Sequence, residues 1–195
     1  LEETEKIEAY IRENCGGHIR AAYGCSLGGS FVGLLAAREN IHMDYGILGS
    51  SDLDQSSPFA ARLMTGVMLP VLYPLVRDGK FSIRFMQKRL EKRKREMAEY
   101  AEAFMEMFGS ARPYVTKKSC KNQFYSDLIT PLPQKIDVPG TEIHIFYATK
   151  MGEKYEERYR EHFAEPVIHR QELEHEELLA CCPEKWAELV KSIIL

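Results

Sequence analysis

The sequence predicts an α/β protein, in which a mainly parallel sheet is flanked by helices and a helical segment is inserted between two strands. Short apolar runs typical of buried strands alternate with helical patterns, and this alternation favours a parallel sheet. Residues 57–119 interrupt the alternation, because they contain several helical patterns and no convincing strand. With 195 residues, 45% of them hydrophobic, the chain is long enough to bury one sizeable core.

The first part of the chain predicts a helix, a strand, a tight turn and a second helix. Residues 3–14 have an amphipathic pattern that ends at a pair of glycines. Residues 18–25 have the length and composition of a short buried strand, and small and apolar residues from 30 to 38 suit a buried helix. Residues 42–50 predict the next strand.

The central segment predicts a lid or cap built from helices. It contains an apolar stretch, Leu63 to Val76, and a long charged helix candidate at 83–108. We therefore expect three parts: a first piece of the α/β core at 1–56, the helical insertion at 57–119, and the rest of the core at 120–195.

The last part of the chain predicts two further strands and a closing helix. Residues 142–148 are rich in strand-forming Ile and Phe, and residues 167–171 give a weaker strand signal. The final helix, at about 184–194, follows Pro183, which suits the first turn of a helix.

Composition argues against several classes of protein. With 26 basic and 29 acidic residues the net charge is −3, so no overall field attracts nucleic acid. The basic run from Lys88 to Arg95 is interrupted by Glu91, and it predicts a solvated helix face rather than a nucleic-acid site. Five cysteines without C-x-x-C spacing favour a reducing compartment, and we predict the cytoplasm.

The apolar stretch in the insertion does not predict a membrane span. Pro70, Pro74 and Arg77 break it before it reaches the roughly 20 residues that a spanning helix needs. We therefore expect no transmembrane segment in this sequence.

Residues 24–28 read Gly-Cys-Ser-Leu-Gly, the pattern G-x-S-x-G, and they lie between a predicted strand and a predicted helix. That context is what the motif requires. The serine of such a turn has a strained backbone, and we expect the glycines on both sides to make room for the crossing chain. The turn presents Ser26 at the top of the sheet, with the N–H of Leu27 pointing to where an oxyanion would form. Ser26 is therefore the candidate nucleophile.

A serine nucleophile needs a base, and the sequence nominates His175. This residue lies in Glu-His-Glu-Glu-Leu, after the last predicted strand and before the final helix. We expect the other histidines to be structural or solvated: His18, His42, His144, His162 and His169. A zinc motif H-E-x-x-H would require histidine at position 179, which is Leu179, and we predict no metal and no cofactor.

From Gly24-Cys25-Ser26-Leu27-Gly28-Gly29 through the insertion to His175 and Pro183-Glu184-Lys185-Trp186, the chain resembles the α/β-hydrolase superfamily, especially small bacterial esterases and lipases. The resemblance implies hydrolysis of carboxylic ester or related acyl bonds through an acyl-enzyme on Ser26. The substrate would be a small acyl compound. The apolar residues of the insertion would line an acyl pocket or pack the insertion on the body.

The resemblance also implies an acidic member of a catalytic triad, for which two positions stay open. An acid after the strand that precedes the histidine strand would be Glu153. An acid one strand earlier, after the strand that follows the nucleophile helix, would be Asp52, with Asp54 as a lesser choice. We slightly prefer Glu153, although it could simply begin a charged helix.

The sequence departs from the superfamily in its first part. Only 25 residues precede Ser26, whereas the family usually has several strands there, one of whose loops supplies the second oxyanion N–H. Truncation, a partner chain that completes the sheet, or a non-catalytic ligand-binding or interaction protein on the same scaffold would each explain this. We favour truncation, and an unpaired strand edge would then predict pairing with another copy of the chain.

Overall fold

The computed structural model describes residues 2–78 and 111–195, with isolated positions at 88, 91, 92, 103, 106 and 109. The described residues form a four-stranded sheet in the order β1-β2-β3-β4. Its strands are β1 (His18–Cys25), β2 (His42–Gly49), β3 (Glu142–Ala148) and β4 (Val167–Gln171). All neighbouring strands are parallel, which confirms the predicted fold class and all four predicted strands.

Seven α-helices accompany this sheet in the described ranges. They are α1 (Glu2–Cys15), α2 (Leu27–Arg38), α3 (Pro58–Asp78), α4 (Lys117–Ile129), α5 (Glu153–His162), α6 (Glu177–Cys181) and α7 (Pro183–Ile194). The helices predicted near 3–14, 30–38 and 184–194 are confirmed as α1, α2 and α7. The charged helix predicted at 83–108 and the basic run from Lys88 to Arg95 lie outside the described residues, apart from the isolated positions.

Both faces of the sheet are covered. Ile47 and Leu48 are neighbours on β2, and neither is exposed to solvent. Because successive side chains of a strand point to opposite faces, Leu48 joins the cluster that contains Tyr159 of α5, whereas Ile47 packs with Phe146 and Trp186. Burial on both faces explains why the strands read as short continuous apolar runs.

The helix α3 is continuous although Pro70 and Pro74 lie inside it. The prediction that these prolines break the apolar stretch is therefore wrong. Each proline removes one helical hydrogen bond, but tertiary contacts hold both ends of the helix. Near its start Ala61, Thr65 and Leu69 are buried at four-residue spacing, and near its end Arg77 donates to the carbonyl of Val115 at 3.2 Å.

By length and composition, α3 is the helix in the described part of the chain that could cross a membrane. Its most apolar 18-residue window has a mean hydropathy of 1.5, and 17% of that window is buried inside the protein. A single helix of this kind is weak evidence for a span, because core helices and signal sequences meet the same criterion. The absence of a membrane span stays a prediction.

The chain segments on either side of the insertion are hydrogen-bonded to each other at its base. Ser56 N–H donates to the carbonyl of Leu128 at 2.7 Å, and the Gln55 amide donates to the carbonyl of Leu132 at 3.1 Å. The two helices α3 and α4 pack on each other. Since α4 runs through the predicted boundary between 119 and 120, the division of the chain into three parts stays a prediction.

Candidate active site

Ser26 occupies a strained turn between β1 and α2. Its backbone has φ 53° and ψ −122°, a conformation that residues other than glycine rarely adopt. Its N–H donates to the carbonyl of Gly49 at 2.8 Å, and its own carbonyl accepts from Gly29 N–H at 3.0 Å and from the Ser51 hydroxyl at 2.8 Å. These three hydrogen bonds hold the turn in place and join it to the end of β2.

Close packing around the turn explains two of its glycines. A Cβ on Gly24 would lie 2.0 Å from the carbonyl oxygen of Gly28, and one on Gly29 would lie 1.7 Å from Ser51 Oγ. A Cβ on Gly28 would meet nothing within 4 Å. The expectation that both motif glycines avoid a clash is therefore confirmed for Gly24 and wrong for Gly28. The backbone of Gly28 takes part in the close approach, but the space that a Cβ on Gly28 would occupy is empty.

Leu27 is the first residue of α2. The first N–H groups of a helix have no partner within the helix, and the helix dipole favours negative charge there. The N–H of Leu27 thus follows Ser26 directly, at the end of α2 that suits an anion. Its role as an oxyanion donor stays a prediction.

The loop that carries Asp52 follows β2 and is also strained. Ser50 and Leu53 have φ values of 46° and 51°. Helix α5 holds the loop, because Tyr159 donates to the carbonyl of Ser51 at 2.7 Å and Arg158 donates to the carbonyl of Asp52 at 2.7 Å. Backbone contacts at two successive residues fix the position of Asp52 next to the turn of Ser26.

The loop that carries His175 docks on the loops after β1 and β2. Glu176 has φ 61°, and its N–H donates to the Ser50 hydroxyl at 3.1 Å. Burial raises the pKa of the thiol of Cys25, the residue before Ser26, and the nearby negative charge of Glu176 raises it further. The side chain of His175 is 34% exposed, and its Nε2 lies 3.9 Å from Glu176 Oε1. Three loops at the carboxyl edge of the sheet therefore meet around Ser26, Asp52 and His175.

The charges of Asp52 and His175 interact. Burial raises the pKa of Asp52, whereas the positive charge of His175 lowers it, as does that of Arg158 more weakly. The net effect is that the pKa of Asp52 lies above its ordinary value. Arg158 also forms an ion pair with Asp54, which keeps a second carboxylate beside the first.

Asp127 is a further acidic group of the site, and sequence reasoning missed it. Burial, together with the negative charges of Asp52 and Asp54, raises the pKa of Asp127 to about 6, while His175 acts in the opposite direction. The residue lies on α4, in the part of this helix beyond the predicted insertion. No motif marks it, since only the packing of α4 brings it within range of His175.

Glu153, the other sequence candidate for the acid, is exposed and is the first residue of α5. Its charge acts on Tyr147, whose pKa is raised by burial first and then by Glu156 and Glu153. Glu153 therefore begins a charged helix, as the alternative interpretation of the sequence expected.

Half-buried Cys25 lies next to Ser26 but is a poor competitor as nucleophile. Burial and the neighbouring Glu176 carboxylate raise the pKa of its thiol to about 12. The thiolate is the reactive form of cysteine, and it is scarce at neutral pH with such a pKa.

No protein-family model matches the sequence, and neither does any curated protein. Solved structures do match. An α/β-hydrolase family protein from Desulfitobacterium hafniense superposes with a TM-score of 0.74 over 100% of this chain and 76% of that chain, at 16% identity. The chain has an α/β-hydrolase fold.

Two other solved structures share this fold. A hydrolase from Pseudomonas aeruginosa matches with a TM-score of 0.64 over 97% of this chain and 69% of that chain, at 14% identity. An esterase from a marine microorganism matches with a TM-score of 0.60 over 100% and 76%, at 13% identity. At these identities the α/β-hydrolase fold is what the likeness shows.

Replacing Gly24 with Ala should destabilise this α/β-hydrolase fold strongly, because the new methyl group would overlap backbone atoms that cannot move aside. We expect the free energy of unfolding in urea to fall by at least about 3 kcal/mol. Gly28→Ala is the matched control and should change it by no more than about 1 kcal/mol. Equal effects of the two variants would contradict the turn geometry.

Replacing Asp127 with Asn should stabilise the protein near neutral pH. A carboxyl group whose folded pKa lies above its ordinary value of 3.8 binds more protons when folded, so stability falls as the pH rises from 3.8 to about 6. Removing this group should raise the free energy of unfolding by roughly 1–2 kcal/mol at about pH 7.5, with little gain at about pH 4.

Denaturant unfolding at both pH values measures this gain. Exposed Asp137 offers a matched control, since Asp137→Asn should change the stability by less than about 0.5 kcal/mol at either pH. An Asp127→Asn variant that is no more stable at the higher pH would show that Asp127 is not buried among like charges.

Proposed function

We propose that the chain is a serine hydrolase that acts on carboxylic ester or related acyl bonds. The observation that supports this is the strained Ser26 turn, which is hydrogen-bonded to the loop of Asp52, onto which the loop of His175 docks. His175 accepts the proton of the Ser26 hydroxyl as Oγ attacks the acyl carbon, and the N–H of Leu27 donates to the developing oxyanion. The alcohol departs with the proton from His175, and water then releases the acyl group from Ser26 by the reverse sequence.

Asp52 is our choice for the acidic member of the triad, in place of Glu153. Its loop is hydrogen-bonded to the turn of Ser26 through Ser51, and its charge interacts with His175. A carboxylate in this position stabilises the imidazolium that forms when His175 takes the proton. Glu153 lacks comparable support, because it is exposed at the start of α5.

We also propose the substrate class, the partners and the compartment of the chain. The substrate is a small acyl compound, no nucleic acid takes part, and an oligomer forms through another copy of the chain. In the described ranges none of the five cysteines is in a disulfide, which agrees with a reducing compartment such as the cytoplasm.

Mass spectrometry of the protein mixed with a p-nitrophenyl ester tests the mechanism. The wild type should release a burst of p-nitrophenol and carry one acyl group on Ser26, because the acyl-enzyme accumulates when deacylation is slow. Ser26→Ala should abolish the adduct and lower kcat/KM by at least about 1,000-fold. The exposed Cys15 thiol is an alternative acceptor, so Cys15→Ala is the control and should leave the adduct unchanged.

A wild type that forms no adduct and does not hydrolyse any of a series of acyl esters would overturn the proposal. The scaffold would then belong to a non-catalytic binding protein.

Two conservative variants decide between the acids. Asp52→Asn should lower kcat/KM by about 100-fold or more, since the imidazolium loses its charged partner. Glu153→Gln should stay within about threefold of the wild type, as expected for an exposed side chain. The reverse ranking, with both variants folded by circular dichroism, would return the role to Glu153.

A further inference from the structure

Two histidines and an aspartate lie together at the amino ends of β1 and β2, the edge of the sheet opposite Ser26. His18 and His42 are the first residues of their strands and are paired in the register of the parallel ladder. Asp44 follows His42 by two residues, a spacing that puts both side chains on the same side of β2. The topology thus brings three good metal ligands to one place.

The three ligand atoms converge. His18 Nε2 lies 2.8 Å and His42 Nε2 lies 3.6 Å from the same oxygen, Asp44 Oδ1. All three atoms lie within 4.8 Å of one another, so a point roughly 2.4 Å from each exists even at that limit, against about 2.0–2.2 Å in zinc sites. The side chains are 39–56% exposed, which leaves them free to make this small adjustment.

We propose that His18, His42 and Asp44 bind a divalent first-row transition metal ion such as zinc. Imidazole nitrogen and carboxylate oxygen are ligands that this class of ion accepts. Three protein ligands leave a fourth, tetrahedral position for water. Neutral imidazoles that coordinate through Nε2 carry their proton on Nδ1.

The backbone around the three side chains is well fixed. The N–H of His42 donates to the carbonyl of Gly17 at 2.8 Å, and this bond ties the start of β2 to the residue before His18. Gly140, with φ 79°, brings the loop before β3 against the His42 ring: a Cβ there would lie 3.3 Å from His42 Cε1. The ligands therefore project from strand ends held by neighbouring chain, as a preorganised site requires.

A second histidine pair in the sheet lacks this convergence. His144 Nδ1 lies 3.0 Å from His169 Nε2, whereas the carboxylate of Glu142 lies 3.4 Å from the opposite nitrogen, His144 Nε2. One ion cannot coordinate both nitrogens of a single ring. This pair provides a control for any unspecific effect of histidine.

The proposed metal site lies far from the proposed site of hydrolysis. His18 and Cys25 are the two ends of β1, so about 23 Å of strand separates the metal site from the turn of Ser26. A bound ion would clamp β1 to β2 and stabilise the folded chain by binding to it in preference to the unfolded chain.

Calorimetric titration of the full, chelator-treated chain with zinc tests the site, and thermal unfolding follows its effect. The wild type should bind one zinc ion per chain with a rise in Tm. Magnesium should have no such effect, because it prefers oxygen ligands. His42→Gln and Asp44→Asn should each weaken zinc binding at least about tenfold. His169→Gln should bind as the wild type does.

Cobalt(II) provides a second measurement on the wild type alone, in case a variant does not fold. Tetrahedral cobalt absorbs visible light strongly, and this absorption should appear at one equivalent and disappear when zinc is added. The proposal is overturned if the wild type shows neither saturable zinc binding nor this absorption. It is equally overturned if folded His42→Gln and Asp44→Asn bind zinc as tightly as the wild type.

Discussion

The close approach of Gly24 to the backbone of Gly28 is the constraint on which the rest of the site depends. A Cβ at position 24 would lie 2.0 Å from the carbonyl oxygen of Gly28, so the end of β1 can cross this backbone only without a side chain there. This crossing forces Ser26 into its strained conformation, and strain at a single residue persists only where neighbours determine it. Here the neighbours are Gly49, Gly29 and Ser51, which hydrogen-bond both backbone groups of Ser26.

From that turn, polar contacts extend to the other loops of the edge. Ser51 is bonded to Ser26 and is held by Tyr159, while the adjacent Ser50 accepts from the N–H of Glu176, next to His175. The two serines thus connect the turn of Ser26, the loop of Asp52 and the loop of His175. The site rests on strands and on α5, and such support is what keeps catalytic groups within productive geometry.

Local patterns were sufficient to predict the four strands and the Ser26 turn, because each strand is a short apolar run and the turn has its own motif. Tertiary contacts decide the rest. The helix α6 has five residues and depends on the burial of Leu178, for which the sequence gives no separate signal. Both Asp52 and Glu153 follow a strand, so only the folded chain distinguishes the carboxylate near His175. Asp127 and the pairing of His18 with His42 likewise arise from packing and strand register.

The most direct test of Ser26 as the nucleophile is labelling with a fluorescent fluorophosphonate, a reagent that reacts readily with activated serines. The wild type should be labelled at a single site that peptide mapping assigns to Ser26. Labelling should be lost in Ser26→Ala, in His175→Ala and after heat denaturation. An unlabelled wild type, or one whose labelling persists in Ser26→Ala, would contradict the claim that this turn presents an activated nucleophile.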